Sequence, residues 1–358
     1  MEPTLMRRPK NNEEHIVAAW HKYFVNNIGI DLGTANTLVY VSGRNIVINE
    51  PSYVAVDTIT HKPVAVGTDA KEMFGREPPN IRSERPLRDG VIADFELAEE
   101  LIRSFISQAS PARLFIRPRV VVCVPSGVTG VEKRAVRDAA ERAGAKDVRL
   151  VYEPMAAAIG CGLPVEEPVG SMIIDIGGGT SEIAVISLGG IVVSASIRTG
   201  GDEMDQAIIQ HVRKQYNLAI GTRMAETVKK EIGSAFAAQD EETMEVKGLD
   251  LVQEAPRAIK VSSEEIREAL AEPVNYIVAA VRETLQQTPA ELAADLIDRG
   301  IVMSGGGSLL HGLDRRIQVE TNLPVRLDED CATGVVRGTG KILENFSGYE
   351  SMLEIVKD

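Results

Sequence analysis

The chain has 358 residues, 44% of them hydrophobic, and carries a formal net charge of -13 at neutral pH. That length and apolar content suit two packed domains and exclude a largely disordered chain. The acidic balance excludes general nucleic-acid binding, which needs a basic surface to neutralise phosphates, so any phosphate held here must be gripped locally.

Cys123, Cys161 and Cys331 lie far apart, so neither a zinc spacing nor a disulfide framework is expected and the thiols read as reduced. No uncharged apolar run reaches the roughly 18 residues of a membrane span, and the start lacks the apolar core and cleavage site of a signal peptide. These features predict a cytoplasmic protein.

The first 27 residues stand apart. Ile16, Val17, Trp20, Tyr23 and Phe24 fall on one helical stripe that carries the single tryptophan. An interfacial anchor helix, a helix docked on the body and an overextended gene start are the three readings.

The strongest signal is an internal echo. Residues 28–41 read IGIDLGTANTLVYV and residues 172–186 read MIIDIGGGTSEIAVI, each an apolar strand, an acid, a glycine-rich turn and a second apolar strand. Aligning Asp31 with Asp175 also aligns Gly33 with Gly177 and Thr37 with Ser181. Alternating β-branched residues on both sides of each turn predict β-hairpins. Two similar α/β halves facing one ligand is the simplest architecture.

Between and after the hairpins, Gly130–Ala145, Met204–Tyr216, Met224–Ile232 and Ser262–Gln287 read as helical. The turn-rich stretch 52–94 reads as a small insertion in the first half, and 204–269 as its counterpart in the second. The segment from Leu163 to Gly170 is the expected hinge. The resulting division is an extension (1–27), a first core (28–51, 95–168 and 335–358, with the C-terminal tail) with its insertion (52–94), and a second core (169–203 and 270–334) with its insertion (204–269).

Glycines 33, 177, 178 and 179 let backbone N–H groups approach an anion closely, and Thr34, Asn36, Thr37, Thr180 and Ser181 can add donors. Two matched copies, each with an acid two residues before the first glycine, point to a phosphate site. Asp31 and Asp175 would repel bare phosphate; they suit Mg²⁺ held through water, or else are strand-end aspartates capping the turns. A third cluster, Gly305, Gly306, Gly307 and Ser308, follows the strand Ile301-Val302-Met303-Ser304. It either faces a flat ring or phosphate or is an ordinary strand-to-helix turn.

IDLGTANT, DIGGGTSE and the strand-borne SGGG, in that order, resemble the phosphate and adenosine motifs of the actin, Hsp70 and sugar-kinase superfamily. VVVCVPSGVTGVEKRAVRDAAERAGA and ATGVVRGTGKILEN resemble its two connecting segments. More narrowly, DGVIADFE, EPMAAAIG, GDEMD, KKEIGSA and ELAADLIDRGIVMSGGG resemble the MreB family of bacterial actins, over about residues 28 to 348. The implied fold is an actin-like α/β ATPase: two RNase H-like halves, each with an inserted subdomain, and a nucleotide in the cleft between them.

The resemblance assigns ATP/ADP with Mg²⁺ to that cleft. Gly33, Thr34, Ala35 and Asn36 would bind phosphates from the first half, and Gly177, Gly178, Gly179 and Thr180 from the second. Gly201 and Asp202 would close over phosphate and ribose. Glu226 and Lys229, one face of a helix, would reach ribose and adenine with Lys230 nearby; without the family these three read as a solvated helix face. Glu153, just before Pro154, reads by itself as a helix N-terminal cap. The resemblance makes it the residue that orients or deprotonates the attacking water, with Asp175 beside the metal.

Leu114-Phe115, flanked by Arg113, Arg117 and Arg119, reads either as a strand start entering the core or, by resemblance, as a loop that inserts into an anionic membrane. Each of the two apolar side chains would contribute about 1.5–3 kcal/mol and each arginine about 1 kcal/mol, so a lone subunit would bind weakly and a filament, repeating the loop, strongly. The family further implies a slow ATPase coupled to head-to-tail polymerisation in paired filaments on the inner membrane face, with cell-wall elongation proteins as partners. The alternatives are an Hsp70-like chaperone, which should continue into a peptide-binding domain beyond Asp358, and a small-molecule kinase, which should supply a base placed for a hydroxyl.

Overall fold

The computed structural model describes residues 27–109, 118–237 and 240–354. The chain opens with β1 (Ile28–Leu32), β2 (Asn36–Val41) and β3 (Asn45–Pro51), then β4 (Val54–Asp57), β5 (Pro63–Val66), α1 (Thr68–Met73) and β6 (Ile81–Glu84). A short ribbon, β7 (Leu87–Arg88) and β8 (Val91–Ile92), leads to α2 (Phe95–Ala109), β9 (Arg119–Val124), α3 (Gly130–Arg142), β10 (Asp147–Tyr152) and α4 (Glu153–Gly160). The pattern then restarts with β11 (Ser171–Ile176), β12 (Ser181–Ser187) and β13 (Gly190–Ile197). After these come α5 (Gly201–Tyr216), β14 (Leu218–Ala219), α6 (Thr222–Ile232), β15 (Thr243–Asp250), β16 (Ala255–Ser262), α7 (Ser263–Ala269), α8 (Ala271–Gln287) and α9 (Ala290–Arg299). The last elements are β17 (Ile301–Ser304), α10 (Leu313–Thr321), β18 (Val325–Leu327), α11 (Gly334–Glu344) and α12 (Phe346–Tyr349).

The two large sheets are copies in topology. One is ordered β3-β2-β1-β9-β10 and the other β13-β12-β11-β17-β18. In each, the first three strands form an antiparallel meander and the other two run parallel to the first. The central strands β1 and β11 are covered on both faces, which is why they read as nearly unbroken apolar runs. Two small antiparallel sheets, β5-β4-β6 and β14-β15-β16, pack against helices, α1 and α2 for the first and α5, α6 and α7 for the second.

Each half has its own apolar core, and a third cluster joins them around α4 and α11. These two helices cross in near backbone contact: a Cβ at Gly160 would lie 1.8 Å from the Gly334 carbonyl oxygen, and one at Gly338 would lie 1.9 Å from that of Ala156. Lys341 Nζ donates to the carbonyls of Ile159 (2.9 Å) and Gly160 (3.0 Å), binding the free carbonyl end of α4.

The helical run expected from Ser262 to Gln287 is two helices that meet at Leu270. Pro273 explains the division, since it has no N–H to give the Ala269 carbonyl and its ring crowds that oxygen. Ser262 instead caps α7, accepting from the Glu265 N–H. Ile16, Val17, Trp20, Tyr23, Phe24, Leu114 and Phe115 lie outside the described residues.

Candidate functional site

The duplicated sheets aim their β1–β2 and β11–β12 turns at each other across one cavity of about 780 Å³. Asp31, Gly33, Thr34, Ala35 and Asn36 line it from one side, and Asp175, Gly177, Gly178, Gly179 and Thr180 from the other. Gly201 and Asp202 at the start of α5, Glu226, Lys229 and Lys230 on α6, and Gly305, Gly306 and Gly307 after β17 complete the wall, with Glu153 at the floor. Ser308 is not part of the lining: it is buried, and its hydroxyl donates to the Ser304 carbonyl at the end of β17.

Two of the three glycines of the second turn, Gly178 and Gly179, are required by the first. A Cβ at Gly178 would stand 2.5 Å from the Ala35 Cβ, and one at Gly179 would stand 2.8 Å from Thr34 Oγ1. The first turn therefore brings side chains and the second brings bare backbone. Thr34 Oγ1 also accepts from the Gly90 N–H (2.9 Å), which ties the turn to the loop between β7 and β8. Gly305 has φ +84°, and a Cβ there would sit 2.3 Å from the Ile176 carbonyl oxygen, so the third cluster folds flat against the end of β11.

Behind each turn a buried hydroxyl acts as a strut. Thr37 shares a hydrogen with Ser52 Oγ (2.8 Å), which donates to the Gly33 carbonyl (2.6 Å). At the matching place Ser181 Oγ donates straight to the Thr199 carbonyl (2.6 Å). The first amides of α5 are spent on the second turn, Gly201 N–H to Gly177 O (3.0 Å) and Asp202 N–H to Gly178 O (2.8 Å), which docks that helix against it.

The floor is electrostatically starved of positive charge. Burial first, then the Asp175 charge, pushes the Asp31 carboxyl up to about 8. Asp175 rises to about 7, again mainly by burial, with the Ser304 hydroxyl opposing and Glu182 adding to it. Glu153 is held well above the usual carboxylate range by burial and by the charges of Glu182, Asp31 and Asp175. Among the described residues Asp175 Oδ1 is buried without a hydrogen-bond partner. An orphaned carboxylate oxygen beside two more repelled carboxylates is a donor set that fits a hard divalent cation. Among the described residues no three such groups close into a cage, so Asp31 and Asp175 fit an ion held through water and ligand oxygens.

The mouth is bridged by pairs absent from the sequence reading. Arg85, stacked over the Tyr53 ring, donates to Asp202 Oδ2 (2.5 Å), and Lys71 reaches Glu226 Oε2 (3.4 Å). Arg223 donates to the Lys71 carbonyl. Lys229 joins Gly201 O (2.7 Å) to Asp205 Oδ1 (2.8 Å), so its ammonium braces α5 against α6. Lys230 pairs with Glu226 Oε1 (2.7 Å) and is otherwise solvated. Lys71, Arg85 and Asp205 line the cavity, yet no local pattern marks them: Arg85 sits among Arg82 and Arg88 in one short stretch.

A duplicated sheet-and-turn unit closed around one carboxylate-floored cleft of this size defines the actin-like ATPase fold. The family model described as MreB/Mbl protein matches residues 25–351, and the chain belongs to that family. It is 53% identical over 327 residues to the cell shape-determining protein MreB of Escherichia coli strain K12, covering 90% of this chain and 94% of that one. It is 48% identical over 322 residues to the cell shape-determining protein Mbl of Bacillus cereus, covering 90% and 97%. Among solved structures, MreB5 of Spiroplasma citri bound to ADP superposes with a TM-score of 0.87 at 40% identity, covering 92% of this chain and 99% of that one. The same protein bound to AMPPNP superposes equally well.

Proposed function

We propose that this chain is an ATP-binding and slowly ATP-hydrolysing filament subunit that assembles on the inner face of the cell membrane and organises cell-wall synthesis to set cell shape. The observation that carries the reading is the pair of facing turns above a floor of buried carboxylates, in a member of a family whose relative from Spiroplasma citri is crystallised with ADP and with AMPPNP. No feature of the cleft favours the chaperone or small-molecule kinase alternatives. The division into two cores and two insertions set out above belongs to the same proposal.

In this reading the backbone of residues 33–36 and 177–180 holds the phosphates, with Thr34 and Thr180 as side-chain donors. Gly201 and Asp202 close over phosphate and ribose, Glu226 and Lys229 reach ribose and base with Lys230 nearby, and Gly305–Gly307 offer a flat wall to the ring. Mg²⁺, held through water by Asp31 and Asp175, would supply the positive charge that lets the floor carboxylates ionise and offsets the charge on the phosphates. Glu153, at the floor and next to those acids, orients the attacking water and accepts its proton. Transfer of a phosphoryl group to water is mainly a matter of positioning and charge, so one carboxylate is enough for a slow reaction.

The filament, membrane and cell-wall parts rest on the family. Among the described residues no helix is long and apolar enough to cross a membrane; contact would come from Leu114, Phe115 and the stripe of Ile16, Trp20, Tyr23 and Phe24. The test is sedimentation with ATP, ADP or no nucleotide, paired with phosphate release. The parent chain should pellet in a nucleotide-dependent way, and Glu153→Gln should lose about 10²–10⁴-fold in turnover while still binding ATP. Pelleting indifferent to nucleotide, with no phosphate release, would overturn the reading. Deleting residues 1–27 and changing Leu114 and Phe115 should abolish co-sedimentation with anionic liposomes.

A further inference from the structure

The duplication breaks at one telling place. Asp31 faces Leu38 across the first hairpin, whereas Asp175 faces Glu182 across the second. Glu182, the second residue of β12, is fully buried, and a carboxylate buried in an apolar strand costs stability unless its oxygens are hydrogen-bonded. Here each oxygen is used. Oε2 accepts from both the N–H (2.9 Å) and the hydroxyl (2.6 Å) of Ser126, and Oε1 accepts from Ser196 Oγ (2.5 Å).

Ser196 lies on β13 of the same sheet, but Ser126 belongs to the other half, in the loop just after β9. One carboxylate thus ties the two halves together below the cavity. The seam around it is tight: a Cβ at Gly127 would lie 3.1 Å from the Ser196 Cβ, and one at Gly90 would lie 2.7 Å from Pro125 and 3.0 Å from Thr180. On the far side of that loop, Val124 of β9 is in register with Tyr152 of β10, the residue before Glu153. Of the neighbouring charges, Glu182 acts on Glu153 most strongly, ahead of Asp31 and Asp175.

We propose that Glu182 is a positioning residue for ATP hydrolysis: by clamping Ser126 to the second half's sheet, it fixes where the β9–β10 edge presents Glu153 to the cleft. Turnover then depends on how the halves are seated at this seam, while nucleotide binding, made by the turns above it, does not. The inference rests on the ATPase reading and goes one step deeper into the same site.

Glu182→Gln and Ser126→Ala test it, singly and together, in full-length protein. Glutamine keeps the volume but replaces the charged acceptor by a neutral amide, so the bonds from Ser126 weaken and the Ser196 hydroxyl loses the oxygen to which it donates. Alanine at 126 keeps the backbone bond, so at least one variant is mild enough to fold. Glu182→Gln should lower kcat about 10- to 100-fold, the loss that small misplacement of a reacting group brings, and Ser126→Ala by less. KM for ATP should stay within about threefold, since the interaction lost serves the reacting geometry and not binding. The double variant should be no slower than Glu182→Gln, because both act through one contact.

Parent-like kcat in both single variants would overturn the proposal. So would KM rising in step with the loss of kcat, or losses that multiply in the double variant, which is what general loosening of the fold would produce. A parent chain that binds ATP but releases no phosphate would remove the ATPase reading as well, so the two failures are told apart by the parent's own turnover.

Discussion

The two hairpin turns descend from one pattern, yet they divide the work. The turn of β1–β2 keeps one glycine and presents Thr34, Ala35 and Asn36, whereas the turn of β11–β12 is three glycines in a row. Two turns with side chains would collide, as the 2.5 Å approach of a Gly178 Cβ to Ala35 indicates. One turn thus carries the side chains and the other leaves the space into which they fit.

The sharpest way to break this comparison is to give the second turn a side chain. Gly178→Ala should weaken nucleotide binding about 10- to 100-fold, the effect of 1–3 kcal/mol of overpacking. Ala35→Gly in the same molecule should restore most of the loss, because it removes the opposing Cβ. Titration with a fluorescent ATP analogue checks both. A double variant as weak as Gly178→Ala would place the damage in the second turn's own backbone instead of in the meeting of the two.

The acids beneath the turns give a second comparison, this time in pH. Asp31 and Asp175, at about 8 and about 7, bind protons more tightly folded than unfolded. Their contribution to stability is therefore complete below about pH 4 and is lost as pH rises through about 7 and then about 8. The nucleotide-free protein should melt at lower temperature at pH 8 than at pH 6, the reverse of the usual behaviour of a paired aspartate. Asp31→Asn should raise its Tm at pH 8 by on the order of 3 °C and flatten the slope, while weakening Mg²⁺-dependent nucleotide binding. Calorimetry with and without nucleotide measures both, and an unchanged slope would mean that the floor is wetter than its packing indicates.

These features differ in how far the sequence discloses them. The hairpins were legible because glycine, aspartate and a β-branched run at fixed offsets serve one local conformation, and Asp31, Asp175 and the turn residues follow from that alignment. Glu153 was legible only through family likeness, since a glutamate before Pro154 is also an ordinary helix start. The mouth was not legible at all: Arg85 meets Asp202 across 117 positions and Lys71 meets Glu226 across 155, and a pair made by folding leaves no local trace. Glu182 is intermediate. It stands in the open within DIGGGTSE, and asking why an apolar strand carries a charge where its copy has Leu38 would have raised the question that its tie to Ser126 answers.

The smallest expected effect separates the two struts. Thr37 and Ser181 occupy matched positions and both are fully buried, but their hydroxyls are wired differently. Removing the first, by Thr37→Ala, leaves Ser52 still bonded to the Gly33 carbonyl, so the turn keeps its strut. Ser181→Ala takes away the hydroxyl that itself reaches the Thr199 carbonyl, and a carbonyl deprived of a buried donor bears the cost directly. Ser181→Ala should therefore cost about 1 kcal/mol more than a neutral change and Thr37→Ala less, read as the difference between their urea midpoints at unchanged slope. Equal losses would mean that Ser52 alone cannot hold the first turn, and the two copies would then be more alike in mechanics than their hydrogen bonds suggest.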